Sequence, residues 1–226
     1  MCSRYNLTSP PEAVRATFAY RDKPNFPPRY NIAPTQIVGV VCLDEEGERR
    51  FKPMRWGLLP AFVKDAKSAP TLINARAEGI ATKPSFRQAF ARRRCLLPAD
   101  GFYEWTGAKR ARRPFLLRPR QGGLIAFAGI WERWRDQEGA ESDTVAIITC
   151  AANASVTPLH DRMPVVLDQK QHATWLDCEG TAVDTALALL RPAADDLLEA
   201  IEMDPKINDS RRDEPGLQQP LQPRLL

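Results

Sequence analysis

Histidine is almost missing from this chain, with two in 226 residues, and the five cysteines (Cys2, Cys42, Cys95, Cys150 and Cys178) include no C-x-x-C pair. A zinc site made of Cys and His lacks its ligands, and an odd set of scattered thiols does not make a disulfide framework. No metal and no cofactor are expected. Also absent are an apolar run of the ~18–20 residues that a membrane span needs and a hydrophobic signal segment at the N-terminus. The expectation is a cytoplasmic protein without membrane contact. Internal repeats, long low-complexity tracts and a dividing linker are missing too, and 226 residues with 43% hydrophobic content can bury a proper core as one large domain or two small ones.

Acidic residues are scarce in one half. Residues 1–120 carry 23 Lys and Arg against 10 Asp and Glu, whereas residues 121–226 carry 9 against 18, so the net charge of +4 conceals a split. Such a split predicts one basic face and a polyanionic partner. Arginine supplies 24 of the 32 cations. Its planar fork grips phosphate and stacks on bases, which favours nucleic acid.

What is present reads as mixed structure. Ser9-Pro10-Pro11-Glu12 has a capping-box pattern and predicts a helix over 10–20 with Val14 and Phe18 buried. The segment from Pro24 to Pro34 excludes regular structure. Within it, Arg29-Tyr30-Asn31-Ile32-Ala33-Pro34 reads as a ligand-contacting loop or as a packed connector. A hairpin is expected from strands at 37–43 and 49–56 around the turn 44–47. A helix over 85–94 ends in Arg92-Arg93-Arg94, a triplet that serves equally as a complement to the helix C-terminus or as a phosphate contact.

Residues 95–105 read as strand, turn and strand. Alternation sends Phe102 and Glu104 to one face and Tyr103 and Trp105 to the other. Glu104 is then either a buried acid in need of a partner or a proton, or an exposed acid on a surface strand. The turn at 109–113 leads to strands near 115–117, 124–131 and 144–151, the last two apolar enough to be central and to bury Cys150, as Cys42 and Cys95 are buried earlier in the chain. From Asp168 the signals turn helical, with helices ending near 175, over 182–190 and over 192–201. From Asp204 onward the chain reads as an irregular tail.

Residue 2 carries the least ordinary chemistry. A cysteine there permits removal of Met1, which leaves an α-amine and a thiol on adjacent carbons. The α-amine has a reference pKa of roughly 7.7–8.0, so it is nucleophilic near neutral pH. A 1,2-aminothiol captures aldehydes as an imine that the thiol closes to a thiazolidine. That chemistry needs an acid, a base and a polar group to hold an oxygen, and Glu104, His160 and Asn74 stand at strand ends or loops suited to supply them.

Met1-Cys2-Ser3-Arg4, Tyr30-Asn31-Ile32-Ala33-Pro34, Trp56-Gly57-Leu58-Leu59-Pro60, Asn74-Ala75-Arg76-Ala77-Glu78, the stretch from Pro98 to Trp105, and His160-Asp161-Arg162-Met163-Pro164 resemble, in order, the motifs of the SOS-response-associated peptidase (SRAP) family. The resemblance implies a single α+β domain over 1–226 around a barrel-like, mostly antiparallel sheet with flanking helices. Its motif-bearing part would cover 2–167, followed by a helical part at 168–203 and an irregular tail at 204–226. It implies a monomer that binds single-stranded DNA and crosslinks to abasic sites, shielding them at stalled forks and associating with the nucleoid when bound. Cys2 would be the nucleophile, Asn74 a stabiliser of the reacting sugar, and Glu104 and His160 the acid/base pair. Arg4, Arg76 and Arg162 would hold phosphates, and Pro34 and Trp105 would stack or wedge against DNA. The family usually has Gly after the cysteine, where this chain has Ser3, and a Cβ there restricts the backbone. Two other readings of Cys2 are an autopeptidase that removes Met1 and a bystander in a non-covalent single-stranded DNA binder.

Overall fold

The long apolar runs in the middle of the chain become its two longest strands. The computed structural model describes residues 2–66, 69–108 and 111–221. In chain order the strands are β1 (Tyr5–Leu7), β2 (Arg29–Ile32), β3 (Ile37–Leu43), β4 (Arg49–Trp56), β5 (Asn74–Arg76), β6 (Arg94–Ala99), β7 (Gly101–Thr106), β8 (Arg113–Pro119), β9 (Ile125–Arg135), β10 (Glu141–Ala151), β11 (Arg162–Pro164), β12 (Val166–Leu167) and β13 (Leu198–Glu202). The helices are α1 (Pro11–Phe18), α2 (Arg87–Arg92), α3 (His172–Leu176) and α4 (Val183–Ala188).

Strand β3 pairs with β4, β4 with β10, β10 with β9, β9 with β6, and β6 with β3. That circuit closes a five-stranded barrel, antiparallel except between β4 and β10, and closure removes its edges. The strands approach closely at Gly129 on β9, where a Cβ would stand 2.4 Å from Leu97 Cδ1. Beyond the last β9–β10 pair, Ile147 with Gly129, the two strands part. Strand β11 fills the gap against β10 and β12 fills it against β9. Strand β5 runs parallel to β10 beyond the end of β4.

A second sheet, β13-β8-β7-β1-β2, packs on the barrel. Its inner face brings Tyr5 edge-on to Trp56 and Phe127, with centroids 5.3 and 5.7 Å away, and adds Phe102 and Leu117 to the main core. The outer face, with Tyr103 and Trp105, belongs to a smaller cluster with Leu116, Met203, Ile207 and Leu217. The alternation predicted along β7 is therefore present. This is the α+β architecture expected from the sequence.

Several local expectations give way to tertiary contacts. Ser9 does not cap α1: its hydroxyl and the amides of Thr8 and Ser9 bind the Asp100 carboxylate at the β6–β7 corner. Part of the Pro-rich segment is strand β2, because no proline stands between Pro28 and Pro34 and an edge strand there can pair with β1. The helix expected over 192–201 is replaced by β13, where Glu199 and Glu202 pair with Arg118 and Arg113 of β8 while Leu198 is buried. Helix α2 is shorter than expected. Its Arg triplet divides, with Arg92 exposed, Arg93 paired to Glu132, and Arg94 buried on the carbonyls of Phe90, Trp175 and Asp177. Arg94 is thus a structural cation unable to reach phosphate. The tail from 204 is ordered through 221: short 3-10 turns at Pro205–Asn208 and Pro215–Gln218 place Ile207 and Leu217 on the outer face of the second sheet. Residues 109–110 of the predicted turn and 222–226 of the tail lie outside the described residues.

Candidate active site

Asn74 opens β5, and two contacts fix it. Backbone pairing sets Asn74 beside Ile147 of β10, and the buried Trp56 indole donates from Nε1 to the preceding carbonyl, Ile73 O, at 2.9 Å. Gly57 makes that corner possible: its φ of +137 is open to glycine, and its N–H donates to Val145 O. The motif Trp56-Gly57-Leu58 is therefore a device for seating the strand that carries Asn74.

Cys2 stands three residues before Tyr5, the first residue of β1, and β1 is held to β7 by pairing of Tyr5 with Phe102 and by the Tyr103 N–H donating to Arg4 O at 3.0 Å. Asn74 Nδ2 donates to Cys2 O at 2.8 Å. Asn74 Oδ1 is buried and has no hydrogen-bond partner among the described residues. The Cys2 thiol is fully buried. Burial pushes it well above its ordinary value, and the Glu104 charge pushes the same way. It is therefore a neutral thiol.

Glu104 on β7 is 2% exposed, which overturns the reading of it as a surface acid. Burial raises its carboxyl from 4.5 to about 7, and the Asp161 charge adds to the rise. Asp161 adjoins His160 on the turn before β11. His160 is partly exposed, and burial lowers its pKa. Its Nδ1 accepts from the Arg162 N–H at 2.9 Å, so the neutral ring carries its proton on Nε2. Protonation would turn Nδ1 into a donor to Asp161 Oδ1, which lies 2.7 Å away. Cys2, Asn74 and Glu104 are thus joined by a hydrogen bond and by charge, and Glu104 is joined by charge to the turn of His160.

The residues expected on DNA are held unequally. Arg76 is exposed. Arg162 has protein partners, donating to both oxygens of Glu78 and to Thr149 O. Arg4 donates to Asn31 Oδ1 at 2.8 Å and to Ile207 O at 3.3 Å, with its guanidinium 5.8 Å from the centre of the Trp105 ring. Trp105 is half-buried and donates from Nε1 to Asn208 Oδ1. Pro34 is half-buried and precedes Thr35, a β-branched residue at φ 73 whose N–H donates to Trp56 O. That strained, tied residue fixes the loop that presents Pro34. Ser3 has no positive φ, so the place usually taken by glycine requires none in this chain. Glu78, whose carboxylate follows the Asn74 amide and the Arg76 guanidinium in the sequence, and Asn31 carry no role among the residues expected at the site, although both sit inside the quoted motifs. Among the described residues no cluster of three or more His, Cys, Asp or Glu could hold a metal, and no helix is long and apolar enough to cross a membrane.

A closed five-stranded barrel with a second sheet packed on it, an amide side chain fastened to the Cys2 carbonyl and a buried acid nearby define a class of small α+β protein. The chain belongs to the SOS response associated peptidase (SRAP) family, whose profile matches residues 1–210. Abasic site processing protein YoqW of Bacillus subtilis is 34% identical over 221 residues, covering 96% of this chain and 98% of that relative. Abasic site processing protein HMCES of Rattus norvegicus is 26% identical over 265 residues, covering 95% and 74%. A crystal structure of a protein from Bacteroides thetaiotaomicron shares the fold, with a TM-score of 0.88 at 23% identity over 98% of this chain and 100% of that one.

Proposed function

We propose that this chain captures abasic sites in single-stranded DNA as a covalent adduct of Cys2. The observation that carries the reading is the Asn74 amide bound to Cys2 O beside a buried carboxyl whose pKa stands at about 7. Relatives named abasic site processing proteins support the same substrate.

The chemistry begins with hydrolysis of the Met1–Cys2 bond, which turns an amide nitrogen into an amine. A ring-opened abasic site offers an aldehyde. The amine adds to its carbon, the surplus proton on nitrogen passes to a base, and the oxygen becomes a hydroxyl. Protonated Glu104 gives a proton to that hydroxyl, which leaves as water, and the iminium so formed returns a proton from nitrogen to the Glu104 carboxylate, leaving the imine. The thiol sulfur then bonds to the imine carbon while its proton goes to nitrogen, closing the thiazolidine with the net loss of one water. A carboxyl near pKa 7 suits both directions of proton transfer at neutral pH. His160, neutral with Nε2–H, serves as the donor to the sugar oxygen as the ring opens. Asn74 Oδ1 accepts from the hydroxyl or the amine. The neutral, buried thiol favours attack by the amine first, whereas an autopeptidase would need a thiolate at the outset.

Arg76 supplies the exposed cation for a neighbouring phosphate, and Arg4, Arg162, Pro34 and Trp105 line the strand's path. Bases stacked on such a surface are held with little regard to sequence. Electrophoresis under denaturing, heated conditions tests the proposal. Wild type is expected to give a shifted band with abasic single-stranded DNA and none with an intact strand, and Cys2→Ala to give none. Equal, salt-sensitive binding of both strands without a shifted band would instead favour a non-covalent binder.

A further inference from the structure

Glu78 has no part in the chemistry above, yet it lies two residues past Arg76 and four past Asn74, on the single turn that leaves β5. Its carboxylate meets the end of the Arg162 guanidinium as a fork: Oε1 accepts from Nη1 at 2.5 Å and Oε2 from Nη2 at 2.9 Å. Nη2 also donates to Thr149 O at 2.6 Å, and Nε is buried without a partner among the described residues. A guanidinium has five N–H groups, and a bidentate grip on phosphate needs two on one edge. The side edge of Arg162 shares Nη2 with a backbone carbonyl that is part of β10 and cannot leave. The end edge is held by a side chain that can leave: Glu78 is 58% exposed, whereas the Arg162 side chain is 13% exposed.

We infer that Glu78 is a place-holder for a DNA phosphate at Arg162, occupying the guanidinium fork in the free protein and yielding it when the strand arrives. This inference rests on the reading of the site as one that takes single-stranded DNA. An ion pair this exposed is cheap to exchange. While it lasts, it neutralises Arg162 against stray anions and keeps the fork aligned on the His160 turn, where the phosphate beside a reacting sugar would lie. Glu78 is a specificity-determining residue in this account.

Fluorescence anisotropy with an intact single-stranded oligonucleotide tests it, using wild type, Glu78→Gln, Arg162→Gln and the double variant, each checked for folding by circular dichroism. Glu78→Gln should tighten Kd by about two- to fivefold, the scale of an exposed ion pair, and this gain should vanish in the Arg162→Gln background. An equal gain in both backgrounds would reduce Glu78 to a general charge effect and overturn the inference. Weaker binding by Glu78→Gln alone would make it a support for the fork and overturn it as well. Should Arg162→Gln fail to fold, Arg162→Lys, which keeps the charge without the fork, completes the same cycle. Adduct formation by wild type with an abasic strand is scored in parallel. Its absence with the coupling intact would remove the covalent reading and leave the place-holder standing, whereas failure of wild type to bind either strand would overturn both.

Discussion

Glu104 shows what burial does to a single carboxyl. With its pKa raised from 4.5 to about 7, the folded protein holds a proton between those values that the unfolded chain has released. Stability contributed by this proton is present at low pH and is lost as pH rises through about 7. Urea unfolding should therefore give a larger fall in stability from pH 5 to pH 7.5 for wild type than for Glu104→Gln. Equal falls in the two proteins would contradict the raised pKa. The same substitution should slow adduct formation by about 10²-fold or more, the usual contribution of a positioned acid or base. Asn74→Ala should slow it as well while leaving the unfolding midpoint nearly unchanged, measured by the same gel time course and urea titration, since a single side-chain hydrogen bond to Cys2 O is lost. At this scale the sequence singled out Cys2, Asn74, Glu104 and His160 as a set that aldehyde chemistry would need, although Asn74, Glu104 and His160 each have an ordinary explanation alone. It was poorly informative about partners. Nothing in the string reveals that the hydrogen-bonding partners of Arg4 include Asn31 and the carbonyls of residues 207 and 208, which lie far away in the chain.

The segment from 204 to 221 is the element that sequence reading placed worst. Polar and Pro-rich, it has the composition of a tail, yet a few long-range contacts hold it in place. Asn31 Nδ2 faces the carbonyls of Ile207, Asp209 and Arg212, and the Asp213 carboxylate accepts from the backbone amides of Tyr30 and Asn31 and pairs with Arg29. The motif around Asn31 is thus a clasp for the C-terminal segment, which in turn holds Arg4 and Trp105. Asn31→Ala leaves several buried polar groups unpaired, at a cost on the order of 2–4 kcal/mol. Urea unfolding should register that loss, and hydrogen exchange should quicken first at residues 204–217; uniform exchange would mean the segment is not a separate unit. Strands with strong alternation, such as β7 and the β3–β4 hairpin, were legible because their pattern is local. Strand β13 was not, because Leu, Glu and Ala favour a helix until β8 offers an edge and two arginines to pair with.

Across the whole molecule, the division of charge between the halves has two causes. Arg29, Arg93, Arg113 and Arg118 of the basic half pair with Asp213, Glu132, Glu202 and Glu199 of the acidic half, so part of the asymmetry holds one half of the chain to the other. The basic face inferred from composition is correspondingly smaller than the sequence implied, with exposed Arg76 beside the site as its clearest member. The barrel gives the arrangement its rigidity. Cys2, Asn74 and Glu104 come from three separate stretches: pairing with β10 seats β5 and its Asn74, and pairing with β1 sets β7 and its Glu104 beside the start of the chain. The central claim is that Cys2, freed of Met1, bonds to an abasic site through both nitrogen and sulfur. Intact-mass analysis before and after incubation with an abasic oligonucleotide tests this most directly. The account predicts a protein lacking methionine that gains the mass of the oligonucleotide less one water, with no gain for Cys2→Ala. Retention of Met1, or an unchanged mass in a protein that nevertheless binds the strand, would contradict it.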